Sequence, residues 1–86
     1  MNTFPLTISS PDGNIFQGEV VKLDVRGLEG DLAIMAGHIP FVTAIQKGVC
    51  TLWPDEETCQ KGFSDGGILS VDKNGATLIS GSFQFE

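Results

Sequence analysis

Apolar and polar residues alternate along most of this chain, in runs of roughly four to eight residues closed by clusters of Gly, Pro, Asn, Asp or Ser. That period places successive side chains on opposite faces of an extended backbone, so each run buries one face and wets the other. Phe4, Leu6 and Ile8 alternate with Pro5, Thr7 and Ser9 before the turn cluster Ser10-Pro11-Asp12-Gly13-Asn14. From Ile15 to Arg26, Val21, Leu23 and Val25 share one face, and Lys22, Asp24 and Arg26 share the other. That run is long enough to bend and serve two sheets, with Gly18 expected at a bulge or a close approach.

Further strands are expected at Phe41–Ile45, Val49–Trp53, Thr58–Phe63, Ile68–Val71 and Ala76–Ser80. Gln46-Lys47-Gly48 turns the chain, Pro54-Asp55-Glu56-Glu57 closes a hairpin, and Ser64-Asp65-Gly66-Gly67 turns it again. Asn74-Gly75 between apolar runs is a strong hairpin signal, because both residues tolerate positive φ. Turn signals recur about every 8 to 12 residues, and no stretch of about ten residues carries helix periodicity free of Gly or Pro, which is the pattern of an all-β sandwich or barrel. Without a repeat or a second composition regime, residues 1–86 read as one domain.

A chain of 86 residues buries only roughly 60 to 65 per cent of its unfolded surface. Six Phe and one Trp within a 41% hydrophobic composition supply one core and leave little for a deep ligand pocket. Eleven acidic against five basic side chains give a formal charge of −6. That balance repels a phosphate backbone and an anionic lipid surface, so neither nucleic acid nor lipid insertion is expected. No run approaches the roughly 18 apolar residues of a membrane span. Met1-Asn2-Thr3-Phe4-Pro5 has neither a basic nor an apolar signal-peptide region, and a cytoplasmic protein is expected.

Candidate chemistry is sparse. Cys50 and Cys59 with the single His38 do not form a zinc set, and in a reducing compartment both thiols are expected free. A turn centred on Pro54-Asp55 would bring the two sulfurs face to face across a hairpin. A nucleophilic pair of either Cys with His38 has no spacing in its favour. Asp55-Glu56-Glu57 reads as a solvated tip, since Ca²⁺ takes about six or more oxygen ligands. Gly66-Gly67 precedes a strand and no helix N-terminus, so it reads as a turn, not a phosphate loop. Gly27 to Pro40 combines Gly and Pro at spacings that demand a fixed loop path and reads as a display surface. Within it, His38 has three open roles: loop filler, hydrogen-bonded structural residue, or contact residue. Physics alone ends at a binding or structural β-domain.

Gly27-x-Glu29-Gly30-Asp31-Leu32-x-Ile34, followed by Gly37-His38-x-Pro40-x-x-Thr43-Ala44-Ile45 and Gly48, closely resembles the epsilon subunit of bacterial F-type ATP synthases, called delta in mitochondria. Ser10-Pro11-Asp12-Gly13 with Phe16, Gly18 and Val20 resembles the opening strands of that family. Gly66-Gly67-Ile68-Leu69-x-Val71 resembles its late Gly-Gly strand.

The resemblance implies a ten-stranded β-sandwich of two five-stranded sheets. It implies a non-catalytic central-stalk subunit that binds no cofactor, metal or small-molecule substrate. Such a subunit packs against the gamma subunit and rests on the c-ring, peripheral to the cytoplasmic face of the bacterial membrane. By motif, the implied c-ring contacts are Glu29, Gly30, Asp31, Ala33 and His38. Ala33 stands where the family more often has Gly, and its methyl would narrow the approach of a partner backbone. The implied gamma contacts are Phe41, Val42 and Thr43, which include apolar side chains suited to an interface core. The family commonly continues into an inhibitory, in some members ATP-binding, helical hairpin. Because this sequence stops at Glu86, the expectation is a subunit that couples and assembles without it. The competing reading is a free-standing β-sandwich binding module with another partner.

Overall fold

A computed structural model of the chain describes residues 2–86. Its strands are β1 (Phe4–Ser10), β2 (Gly13–Val20), β3 (Lys22–Arg26), β4 (Asp31–Met35), β5 (Phe41–Ile45), β6 (Gly48–Trp53), β7 (Gln60–Ser64), β8 (Gly67–Asp72), β9 (Gly75–Ser80) and β10 (Phe83–Phe85). They form two five-stranded sheets. The first has the order β2-β1-β9-β8-β5, and the second has the order β10-β7-β6-β3-β4. Among the described residues there is no helix.

The alternation read from the sequence builds the core directly. Phe4, Leu6, Ile8, Leu69, Val71, Ala76 and Leu78 line the inner face of the first sheet, and they meet Leu23, Val25, Ile34, Cys50, Leu52 and Phe83 of the second. The run from Ile15 to Arg26 does serve both sheets. It leaves the first at Val20 and enters the second at Lys22, with the Val21 N–H donating to the Trp53 carbonyl at 2.7 Å.

Local geometry decides four of these expectations. The bulge in this run falls at Ile15, where the register steps from Ile8↔Phe16 to Ser9↔Asn14; Gly18 pairs regularly with Leu6. Gly18 is instead a close approach, since a Cβ there would lie 3.3 Å from the Phe16 ring. Gly27 to Pro40 is not a continuous loop but encloses the edge strand β4, paired with β3. Cys50 faces Gly62 and not Cys59, because the β6–β7 connection runs well beyond a tight turn at Pro54-Asp55. Both thiols are free. Finally, the β8–β9 hairpin forms with Asp72 opposite Gly75, but Asn74 keeps negative φ. Only Gly75 is left-handed in sign, and the turn is held by the Asn74 N–H donating to Asp72 Oδ1 at 2.7 Å.

Candidate docking surfaces

The turn between β3 and β4 is a rigid tip. The Gly27 N–H donates to the Gly30 carbonyl at 2.8 Å, and Arg26 lies opposite Asp31 where the ladder begins. Gly27 has no room for a side chain, since a Cβ would lie 2.7 Å from the Gly30 oxygen. Gly30 has φ of +137°, a conformation that L side chains rarely adopt. The tip is also braced from the first sheet. The Gln46 N–H donates to the Arg26 carbonyl at 2.9 Å, and the Gln46 side-chain amide donates to the Leu28 carbonyl at 3.1 Å. Glu29, Gly30 and Asp31 are thus exposed on a short loop whose backbone path is fixed. With Thr43 they line a shallow groove of about 300 Å³.

Ala33 is exposed and sits opposite Asp24 in the β3–β4 ladder. It lies two residues along β4 from Asp31, so both side chains project from the same outer face of the second sheet. His38 lies apart from them, beyond the far end of β4. Its Nδ1 is 2.6 Å from the Met35 carbonyl oxygen, and its Nε2 is 3.0 Å from that of Asp72. Its ring stands edge-on to Phe4, with centroids 5.4 Å apart. Of the five residues assigned to one contact, four cluster along the tip and β4. The fifth is tied into the fold.

Phe41, Val42 and Thr43 divide by strand parity. Phe41 packs against the core and Thr43 is half-buried, whereas Val42 is 69% exposed. Val42 belongs to an outer face that the sequence reading did not single out. Cross-strand pairing aligns Ala44, Ile68, Ile79 and Ser9 in one row and Val42, Ser70, Thr77 and Thr7 in the next. Neither row contains a charge, and Ile68 and Ile79 are 46% and 56% exposed. The signal was present as broken alternation. Ile68 precedes inward Leu69, and Ile79 follows inward Leu78, so two apolar residues occupy outward positions.

Burial pushes the Cys50 thiol up to about 11, which suppresses the nucleophilic thiolate. The Asp55 carboxylate accepts the N–H groups of Glu57 and Thr58, each at 2.8 Å, and these bonds hold it below its usual range. Asp55 therefore caps its own turn. Among the described residues, no group of three or more His, Cys, Asp or Glu could hold a metal ion.

Over residues 3–85 the chain matches the family described as ATP synthase, Delta/Epsilon chain, beta-sandwich domain. It is 40% identical over 84 residues to the ATP synthase epsilon chain of Wolbachia pipientis subsp. Culex pipiens (strain wPip), covering 98% of this chain and 74% of that protein. It is 38% identical over 80 residues to the epsilon chain of Bradyrhizobium sp. (strain ORS 278), covering 93% and 58%. The fold superposes on a chain of the Euglena gracilis mitochondrial ATP synthase OSCP/F1/c-ring structure with a TM-score of 0.90 at 20% identity, covering 96% of this chain and 53% of that one. A chain of the Tetrahymena thermophila mitochondrial ATP synthase central stalk/c-ring structure gives a TM-score of 0.80 at 11% identity, covering 95% and 66%. At such identities the structural likeness is one of fold, and this chain spans between about half and two thirds of those solved chains.

Proposed function

The chain belongs to the family of ATP synthase delta and epsilon chain β-sandwich domains, and on that premise we propose that it is a non-catalytic piece of the central stalk, joining a gamma subunit to a membrane c-ring. The observation that carries this reading is the separation of two surfaces of different character on one rigid sandwich. An acidic, backbone-braced tip at Glu29–Asp31 suits polar loops of a partner, where charged and polar groups give orientation. An uncharged face around Val42, Ile68 and Ile79 suits burial in a stable interface.

In this reading the tip and Ala33 meet the c-ring, and the outer face of the first sheet meets gamma. Val42 carries the second contact, while Phe41 and Thr43 support it from the core side. The Ala33 methyl sets how closely a c-ring backbone approaches β4. No catalytic group is involved: ion flow turns the ring, and the sandwich transmits torque while ATP is made on other subunits. On this reading the complex lies peripherally on the cytoplasmic face of a bacterial cell membrane.

Glu29→Ala combined with Asp31→Ala tests the tip. The double variant is expected to lower attachment to the c-ring by at least tenfold in reconstituted vesicles while the melting temperature stays nearly constant. Unchanged coupling and attachment would overturn the assignment of the tip.

A further inference from the structure

We propose that His38 is a positioning residue, a strut that ties the two sheets together where the chain crosses from β4 to β5. Met35 ends β4, the edge strand of the second sheet, whereas Asp72 ends β8 and Phe4 begins β1, both in the first sheet. One imidazole therefore engages the Met35 carbonyl, the Asp72 carbonyl 34 residues away and the Phe4 ring. The strut is placed where other fastening is sparse. β4 has only β3 as a ladder partner, and Ala36 to Pro40 make no backbone–backbone hydrogen bond outside the strand ladders among the described residues.

Both ring nitrogens face carbonyl oxygens, which only accept. The neutral imidazole has one N–H to donate and the imidazolium has two, so in either form the ring's donors are directed into the chain. A side chain used this way has little left to offer a partner. Its effect is mechanical: it anchors the far end of β4, whose near end carries the tip, to the sheet that carries the apolar face. This role in passing load between the two surfaces rests on the function proposed above, whereas the strut itself does not.

Hydrogen exchange on the isolated chain tests it. His38→Phe keeps an aromatic ring against Phe4 and removes both ring nitrogens; His38→Gln restores an N–H donor. In His38→Phe the ladder amides at the two strand ends that the ring ties, β4 near Met35 and β8 near Asp72, are expected to exchange at least tenfold faster, with the β6–β7 ladder unaffected and partial recovery in His38→Gln. Exchange within twofold of the unmodified chain would overturn the strut, and weakened c-ring attachment beside it would make His38 a contact residue. Nitrogen-15 spectra of the unmodified chain give a second readout independent of any variant. A slowly exchanging Nε2 proton, the donor that reaches the Asp72 carbonyl, is expected, and a ring proton exchanging freely with water would also overturn the proposal. Failure of the rotor reading would appear separately, as an unmodified chain that does not bind gamma.

Discussion

Gly62 sits opposite Cys50 in the β6–β7 ladder, and the Phe83 ring occupies the space where a side chain at position 62 would project. A Cβ there would lie 2.5 Å from two atoms of that ring and 3.1 Å from the Gln84 carbonyl oxygen. Phe83 is buried and anchors β10, the shortest strand, to the core. Gly62→Ala is therefore expected to overpack this corner and destabilise the fold by about 1–3 kcal/mol. A thermal melt checks it: for a domain of this size each kcal/mol moves Tm by roughly 4–8 °C. An unchanged Tm would mean that Phe83 moves aside without cost.

The two cysteines should behave oppositely. Cys59 is exposed and Cys50 is buried, so a thiol reagent at neutral pH should label Cys59 in the native chain and both after unfolding. The pH dependence follows in sign. Burial raises the folded Cys50 thiol from the ordinary 9.0 to about 11, so the unfolded chain loses this proton first. Stability from this group is complete below about 9 and is lost as pH climbs through the folded value near 11. Cys50→Ala should flatten that alkaline decline in denaturant titrations; an unaltered slope between those pH values would contradict it.

Ser64 and Ser80 form a buried polar knot. Their hydroxyl oxygens are 2.9 Å apart, and the Ser80 hydroxyl also reaches the carbonyls of Gly66 and Ser82 at 2.8 Å and Asp65 Oδ1 at 3.1 Å. The Ser82 N–H donates to the same carboxylate oxygen at 3.0 Å. These bonds lace the crossing from β7 to β8 to that from β9 to β10. Ser80→Ala removes the centre of the knot while the Ser64 hydroxyl keeps its bonds to Gly66, and it is expected to cost about 0.5–1.5 kcal/mol, read from chemical unfolding. A change below about 0.5 kcal/mol would place the knot among dispensable interactions.

Strands with clean alternation, such as Phe4–Ile8 and Leu23–Val25, were legible because period two and burial coincide. β4 was hidden because Gly27, Gly30, Gly37 and Pro40 frame only five strand residues, and Ala33 and Met35 put apolar groups on the wet face. The three residues of β10 are too few to show a period. That both thiols stay free was legible; which residue faces Cys50 depended on the length of the β6–β7 connection, which Pro54-Asp55 does not encode alone. Among the candidate contact residues, the fixed backbone of the tip was legible from its glycines. The partner of His38 was not, since Asp72 reaches it only through the packing of one sheet on the other.

In the proposed rotor role the outer face of the first sheet receives gamma. Co-expression with the gamma subunit of the same organism, followed by measured affinity, tests it most directly. The unmodified chain should co-purify with gamma, and Ile68→Glu with Ile79→Glu should weaken binding by at least a hundredfold, about 2.7 kcal/mol, while the isolated variant stays folded. Undiminished gamma binding by that folded variant, or no binding by the unmodified chain, would contradict the account.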